Sequence, residues 1–253
     1  MTYGINTGRN MSSISCRDCP IRSLDVFRRF TGEELDFMQD FKSGELSVEA
    51  GTQLLIEGSK SPQLYTVLSG MALRYKLLEN GRRQVINFVF PGDFVGLQSG
   101  LLGEMQHSVE AATDMELCVF RREDLWSLFR GQPSLAFDVT WMSAAEEHFL
   151  GESLVTLGQR DATQRIAWAV VKLYQRMQSV GLEGTGGVPF PFRQQDLADA
   201  LGLSLVHTNK VLQSLRRRQL VTWTNGTLRV NDLTELANIA MITPEAPVER
   251  PLI

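Results

Sequence analysis

The chain has 253 residues, 43% hydrophobic and 21% charged, enough apolar material for one large or two ordinary domains and too little charge for a disordered polymer. A net charge of -4 gives no overall attraction to nucleic acid, and three cysteines are too few for the disulfide framework of a secreted domain. The opening MTYGINTGRN lacks a signal-peptide layout, and no stretch reaches the roughly 18 apolar residues of a membrane span, so a cytoplasmic protein with no membrane partner is expected.

Residues 1–25 are a polar arm ending in SCRDCP, with Cys16 and Cys19 two residues apart. Over 26–134 the apolar runs QLLIEG, QLYTVLSG, MALRYKLL and QVINFVF alternate with turn residues such as Ser69-Gly70, Asn80-Gly81 and Pro91-Gly92-Asp93. About six to eight short strands at this spacing predict an antiparallel β-roll or barrel. A short helix is expected over 122–130. The proline-free stretch 135–160 predicts a long helix, with Phe137, Trp141, Ala144, His148 and Val155 on one stripe and Leu150, Leu154 and Leu157 beside it. A small barrel cannot cover so much apolar surface, so a partner helix from a second copy is expected, the alternative being a helix packed within its own subunit. Residues 161–242 open with another amphipathic helix, 162–178, broken by GLEGTGGV; 243–253 read as a flexible tail.

The strongest local pattern is FRQQDLADALGLSLVHTNKVLQSLRRRQLVTWTNGTLRVND. A helix over Gln194–Leu201 ends at Gly202, which permits a left-handed turn, and Ser204 can cap a second helix over 205–218 with Val211, Leu212 and Leu215 inward. Two strands, 220–224 and Thr227–Val230, joined through Asn225-Gly226, would form a wing. This is a winged helix-turn-helix, whose second helix enters the major groove of DNA. Between Asp199 and Asp232 there is no carboxylate, while Lys210, Arg216, Arg217, Arg218 and Arg229 fall there, which keeps one face attractive to phosphate.

These motifs together (EGSKSPQLYTVLSG, PGDFVG, the long helix and the helix-turn-helix) resemble the CRP/FNR family of bacterial transcription regulators over nearly the whole length. The resemblance implies an α+β chain: an antiparallel β-roll sensor, a dimerisation helix and a C-terminal winged helix. It also implies a homodimer on palindromic double-stranded DNA, with RNA polymerase as a further partner and no enzyme activity. Base-reading positions fall on Leu205, Val206, Asn209 and Lys210, with Gln213 on the same helix. Val206 would favour a thymine methyl, Asn209 adenine and Lys210 guanine, unlike the residues that read the FNR half-site. Gln194, Gln195, His207 and Thr208 are expected on the phosphate side.

In cyclic-AMP binders of the family a Glu and an Arg-Ser pair hold the nucleotide; this chain has Leu97 and His107-Ser108, so cyclic AMP is not expected. Gln98, His107 and Ser108 are the candidates for lining another small-ligand pocket. In the FNR branch three N-terminal cysteines and one on the roll hold an oxygen-labile [4Fe-4S] cluster. Cys16, Cys19 and Cys118 match three of those positions, and the remaining one is Asp25, a harder ligand that would complete a three-Cys, one-Asp site. Two alternatives stay open: a thiol switch without metal, or cysteines with no sensing role, Cys118 being a core residue. A nucleotide-binding module regulating a partner enzyme is the reading outside DNA binding, and the winged helix argues against it.

Overall fold

The computed structural model describes residues 14–244, 246 and 248–253. After two 3-10 turns, Cys16–Asp18 and Pro20–Ser23, comes α1 (Gly32–Phe41), started by Thr31 and Glu34 in a reciprocal capping box. The roll then runs through β1 (Lys42–Val48), β2 (Gln53–Leu55), β3 (Gln63–Ser69), β4 (Ala72–Leu77), β5 (Arg83–Val89), β6 (Phe94–Val95), the short α2 (Leu97–Leu102), β7 (Ser108–Ala111) and β8 (Met115–Arg121). Two four-stranded antiparallel sheets result, ordered β1-β8-β3-β6 and β2-β7-β4-β5. Their inner faces bury Leu55, Val67, Val89, Val109 and Leu117, as alternation along paired strands requires.

Next come α3 (Leu125–Gly131) and the long α4 (Pro133–Gln159), with proline at its first position, where no backbone donor is lost. The helix α5 (Ala162–Ser179) is followed by β9 (Val188–Pro189), α6 (Gln194–Leu201), α7 (Leu205–Arg217), the hairpin β10 (Val221–Thr224) and β11 (Thr227–Val230), and α8 (Leu233–Ala240). One hydrophobic core holds the winged-helix side chains Ile166, Leu197, Leu215 and Leu236 together with Tyr75, Phe88 and Phe90 of the roll. Phe192 stacks edge-on against both Phe88 and Phe90, so the winged-helix unit is packed on its own β-roll. Arg83 of β5 pairs with Asp196 and Asp199 of α6 across the same boundary.

The helix α4 buries Leu135 and Val139 against its own subunit, while Phe137, Ala144, His148, Leu150, Leu154 and Val155 are exposed and Trp141 and Leu157 half-buried. Gly92 has φ +85, and a Cβ there would lie 2.1 Å from the Phe27 ring; only glycine lets the arm sit on this turn.

The closing stretch corrects the sequence reading. Within the stretch read as a flexible tail, residues 250–253 are seated: Arg250 pairs in parallel with Phe27, and Leu252 and Ile253 are buried. The polar TPEAPVER masked an apolar Pro-Leu-Ile that gains more from a hydrophobic slot than it loses in chain entropy.

Candidate nucleic-acid interface and cysteine cavity

The recognition unit is built by local rules. Gly202 adopts φ +63 at the end of α6, and the Ser204 hydroxyl accepts from the His207 N–H at 3.2 Å to cap α7. Asn225 (φ 51) and Gly226 (φ 69) turn the wing. Along α7, Leu205, Val206, His207, Lys210, Gln213, Arg216 and Arg217 are exposed on the side away from the core, and Arg229 is exposed on the wing. Arg218 is drawn off to Glu235 at 2.8 Å. Of the expected phosphate-side residues, Gln195 is exposed but gives its amide to Asp199 at 2.5 Å, and Gln194 is half-buried.

Thr208 is a correction. It is wholly buried and its hydroxyl finds no partner among the described residues, because 208 lies on the inward stripe with 211, 212 and 215. Asn209 is half-buried, and its Oδ1 likewise has no partner among the described residues.

Cys16, Cys19 and Cys118 come together. All three line one cavity at the edge of the roll, with Cys16 and Cys118 buried and Cys19 half-buried. The 3-10 turns seat the arm on α1: the Cys16 N–H donates to Gln39 Oε1 at 2.8 Å, and Ser15 caps the first turn. Burial pushes the Cys118 thiol up to about 12 against the opposing pull of Lys42, and raises Cys16 in the same sense. These thiols are neutral and poorly nucleophilic unless something replaces their protons.

Two cations share the cavity. Lys42 is held by Glu45 Oε1 at 2.5 Å and the Ile14 carbonyl at 2.6 Å. Arg22 stacks over the Phe30 ring at 3.9 Å, and its buried Nε and one terminal nitrogen have no acceptor among the described residues. Asp25 is exposed and does not line the cavity; the carboxylate that does is Glu45. As placed, no three His, Cys, Asp or Glu groups among the described residues stand close enough to hold an ion.

The second candidate pocket is a cleft of about 910 Å³ between the roll, α4 and α5. Gln98 and His107 line it, but Gln98 already accepts the Gln106 N–H at 3.2 Å. The Ser108 hydroxyl accepts the Glu57 N–H at 3.0 Å and is not on its wall. Burial, aided by Arg74, holds the His107 imidazole down at about 4. Arg74 donates to Glu146 of α4 at 3.0 Å.

Two ion clusters connect these sites, and neither was visible in the sequence. Arg28, three residues past the arm, grips Glu34 of α1 at 2.9 Å and Asp138 of α4, where its Nε donates at 2.9 Å. Burial alone would raise the Glu34 carboxyl, but Arg28 and the Ser134 hydroxyl hold it down to about 2. Asp93, buried in the PGDF turn, accepts from Arg176 of α5 at 2.5 Å and from Arg250 at 3.0 Å.

The cyclic nucleotide-binding domain family matches residues 45–132, and the Crp-like helix-turn-helix domain family residues 164–239. The chain is 30% identical over 205 residues to the transcriptional activator protein FnrL of Cereibacter sphaeroides, covering 80% of this chain and 82% of that one. It is 27% identical over 226 residues to the nitrogen fixation regulation protein FixK of Bradyrhizobium diazoefficiens, covering 89% and 93%. The solved structure of FixK2 from Bradyrhizobium japonicum superposes with a TM-score of 0.71 at 25% identity, over 80% of this chain and 98% of that one. With a β-roll, a long helix and a winged helix-turn-helix in this order, the chain belongs to the CRP/FNR family of bacterial transcription regulators and is a DNA-binding regulator.

Proposed function

We propose that this regulator binds a palindromic operator as a homodimer and responds to oxygen through an iron-sulfur cluster, [4Fe-4S], held by Cys16, Cys19 and Cys118. The observation that carries it is the convergence of all three cysteines of the chain on one cavity beside the Arg22 guanidinium, two of whose nitrogens have no acceptor among the described residues. Three soft thiol donors suit iron and sulfide, and Arg22 with Lys42 would balance a thiolate-held anionic group in an apolar pocket. When bound, such a group supplies oxygen lability. Burial of Cys16 and Cys118 disfavours a metal-free switch between those two, because it raises both thiols and suppresses their thiolates. Asp25 is exposed and does not line the cavity, whereas Glu45 does, so both carboxylates are kept as candidates for the fourth ligand.

Dimerisation is supported by α4. Phe137, Trp141, Ala144, His148, Gly151, Val155 and Gly158 alternate at spacings of four and three, the 3.5-residue period of a two-helix seam, and most of that face is exposed in the single chain. The signal has a physical route: the arm bearing Cys16 and Cys19 leads to Arg28, which is bonded to the buried Asp138 of α4. A change in the arm therefore pulls on the helix that sets the distance between two recognition helices. The relative named as an activator supports a contact with RNA polymerase.

The test is anaerobic purification followed by iron and sulfide analysis and visible absorption before and after air. About four irons and four sulfides per chain, bleached by air and lost in Cys118→Ser, are expected. Iron-free, colourless protein that still binds DNA would overturn the cluster and direct attention to the Gln98–His107 cleft.

A further inference from the structure

The cysteine cavity already has an occupant made of protein. Leu252 and Ile253 line it beside Cys16, Cys19 and Cys118, at 1% and 3% exposure, and the Thr66 hydroxyl donates to the main-chain oxygen of Ile253. The segment is registered on the arm like a short strand. The Arg250 N–H donates to the Val26 carbonyl at 2.8 Å, and the Arg28 N–H donates to the Arg250 carbonyl at 2.9 Å. The Arg250 guanidinium then reaches Asp93 at 3.0 Å and lies over the Phe27 ring at 5.6 Å. Backbone pairing, a salt bridge and two buried apolar side chains on four successive residues make a specific docking, not a chance contact.

We propose that residues 250–253 form a strap that docks in the cysteine cavity and ties the DNA-binding domain to the sensor, and that the docked strap and a thiol-held group exclude one another. The strap follows α8 of the winged helix, so its seat on the roll is a direct link between the two domains. With Leu252 and Ile253 in place, the free space is about 20 Å³, room for a water molecule and not for several iron and sulfide atoms. Filling the cavity must therefore displace Leu252 and Ile253. Their departure removes the apolar contacts that hold the strap, frees Arg250 from the arm, and leaves Arg176 as the ion-pair partner of Asp93. The docked strap is independent of what the thiols bind; the exclusion rests on the cluster reading proposed above.

The experiment uses the full-length chain and hydrogen exchange of individual backbone amides, with alkylation of Cys118 by iodoacetamide as the second readout. In iron-free protein the amides of Arg28 and Arg250 should be protected together, and Leu252→Asp should release both while the β3 and β8 amides stay protected. The same substitution should speed Cys118 alkylation about tenfold or more, whereas Leu252→Ile should leave it near the parent rate. An Arg250 amide that exchanges at the free-chain rate in the parent protein would overturn the strap without any variant having to fold. Unchanged Cys118 reactivity in a folded Leu252→Asp protein would overturn it as well. Anaerobic loading with iron and sulfide should deprotect the Arg250 amide. Protein that takes up iron while Arg250 stays protected refutes the exclusion. Protein that takes up no iron refutes the cluster, and the strap then stands or falls on the first two readouts.

Discussion

Asp93→Asn removes the one carboxylate that Arg176 of the DNA-binding domain and Arg250 of the strap share. The side chain is buried at the turn of PGDF, with Arg74 adding to the positive surroundings. Burial alone would raise its carboxyl, yet the guanidiniums pull it from the ordinary 3.8 down to about 2. At about 1.4 kcal/mol per pH unit this is worth about 2.5 kcal/mol, and stranding two cations brings the expected loss to ~3 kcal/mol. Urea or thermal unfolding followed by circular dichroism should show that deficit, with a melting temperature lowered by about 6–12 °C. The carboxyl is held low in the folded state, so its stabilisation is complete above the ordinary carboxylate range and is lost only as pH falls toward 2. The gap between parent and variant should therefore be constant between about pH 5 and 8. A gap below about 0.5 kcal/mol, or one that shrinks from pH 8 to 5, would refute the idea that Asp93 joins the domains.

Lys210→Ala, on the exposed face of α7, should cost about 1–3 kcal/mol in operator affinity while leaving the melting temperature in place, checked by fluorescence anisotropy at several salt concentrations. Thr208→Val should bind DNA as the parent does and change stability by less than about 1 kcal/mol, because the buried hydroxyl makes no bond among the described residues; loss of DNA binding would return Thr208 to the interface. His107 is held down at about 4, so the folded state favours its neutral form, and the associated stability is full above pH 6.5 and lost as pH falls toward 4. Between pH 7 and 5 the parent should lose about 2 kcal/mol relative to His107→Gln in urea titrations, and parallel pH profiles would contradict the burial of the imidazole.

What could be read from the sequence was what local chemistry decides. Gly202, Ser204 and the Asn225-Gly226 turn each act within a few residues of themselves, and the winged helix follows from them. The strands of the roll follow from apolar runs between turn residues. The inward place of Thr208 was available too: Val211, Leu212 and Leu215 define a stripe whose preceding turn passes through 208. The cysteines are different. Their spacing alone left several chemistries open, and only the resemblance brought Cys118 to the arm. Arg22, Lys42 and Glu45 could not be assigned to that cavity, because nothing near them in sequence says what they face. The same holds for Arg28 with Asp138, Asp93 with Arg176, and Arg83 with Asp196, each a pair made across more than 80 residues of chain. The strap was missed for a related reason: Leu252 and Ile253 are two apolar residues in a polar stretch, and only their partners give them a place.

The claim that most needs testing is that the state of the cysteine cavity governs DNA binding. The direct measurement is the affinity of one anaerobic preparation for a DNA sequence enriched from a random pool, taken before and after exposure to air and repeated with Cys118→Ser. Air should change the affinity of the parent by about tenfold or more and leave that of the variant fixed. Equal affinities before and after air in the parent, with specific DNA binding intact, would contradict it.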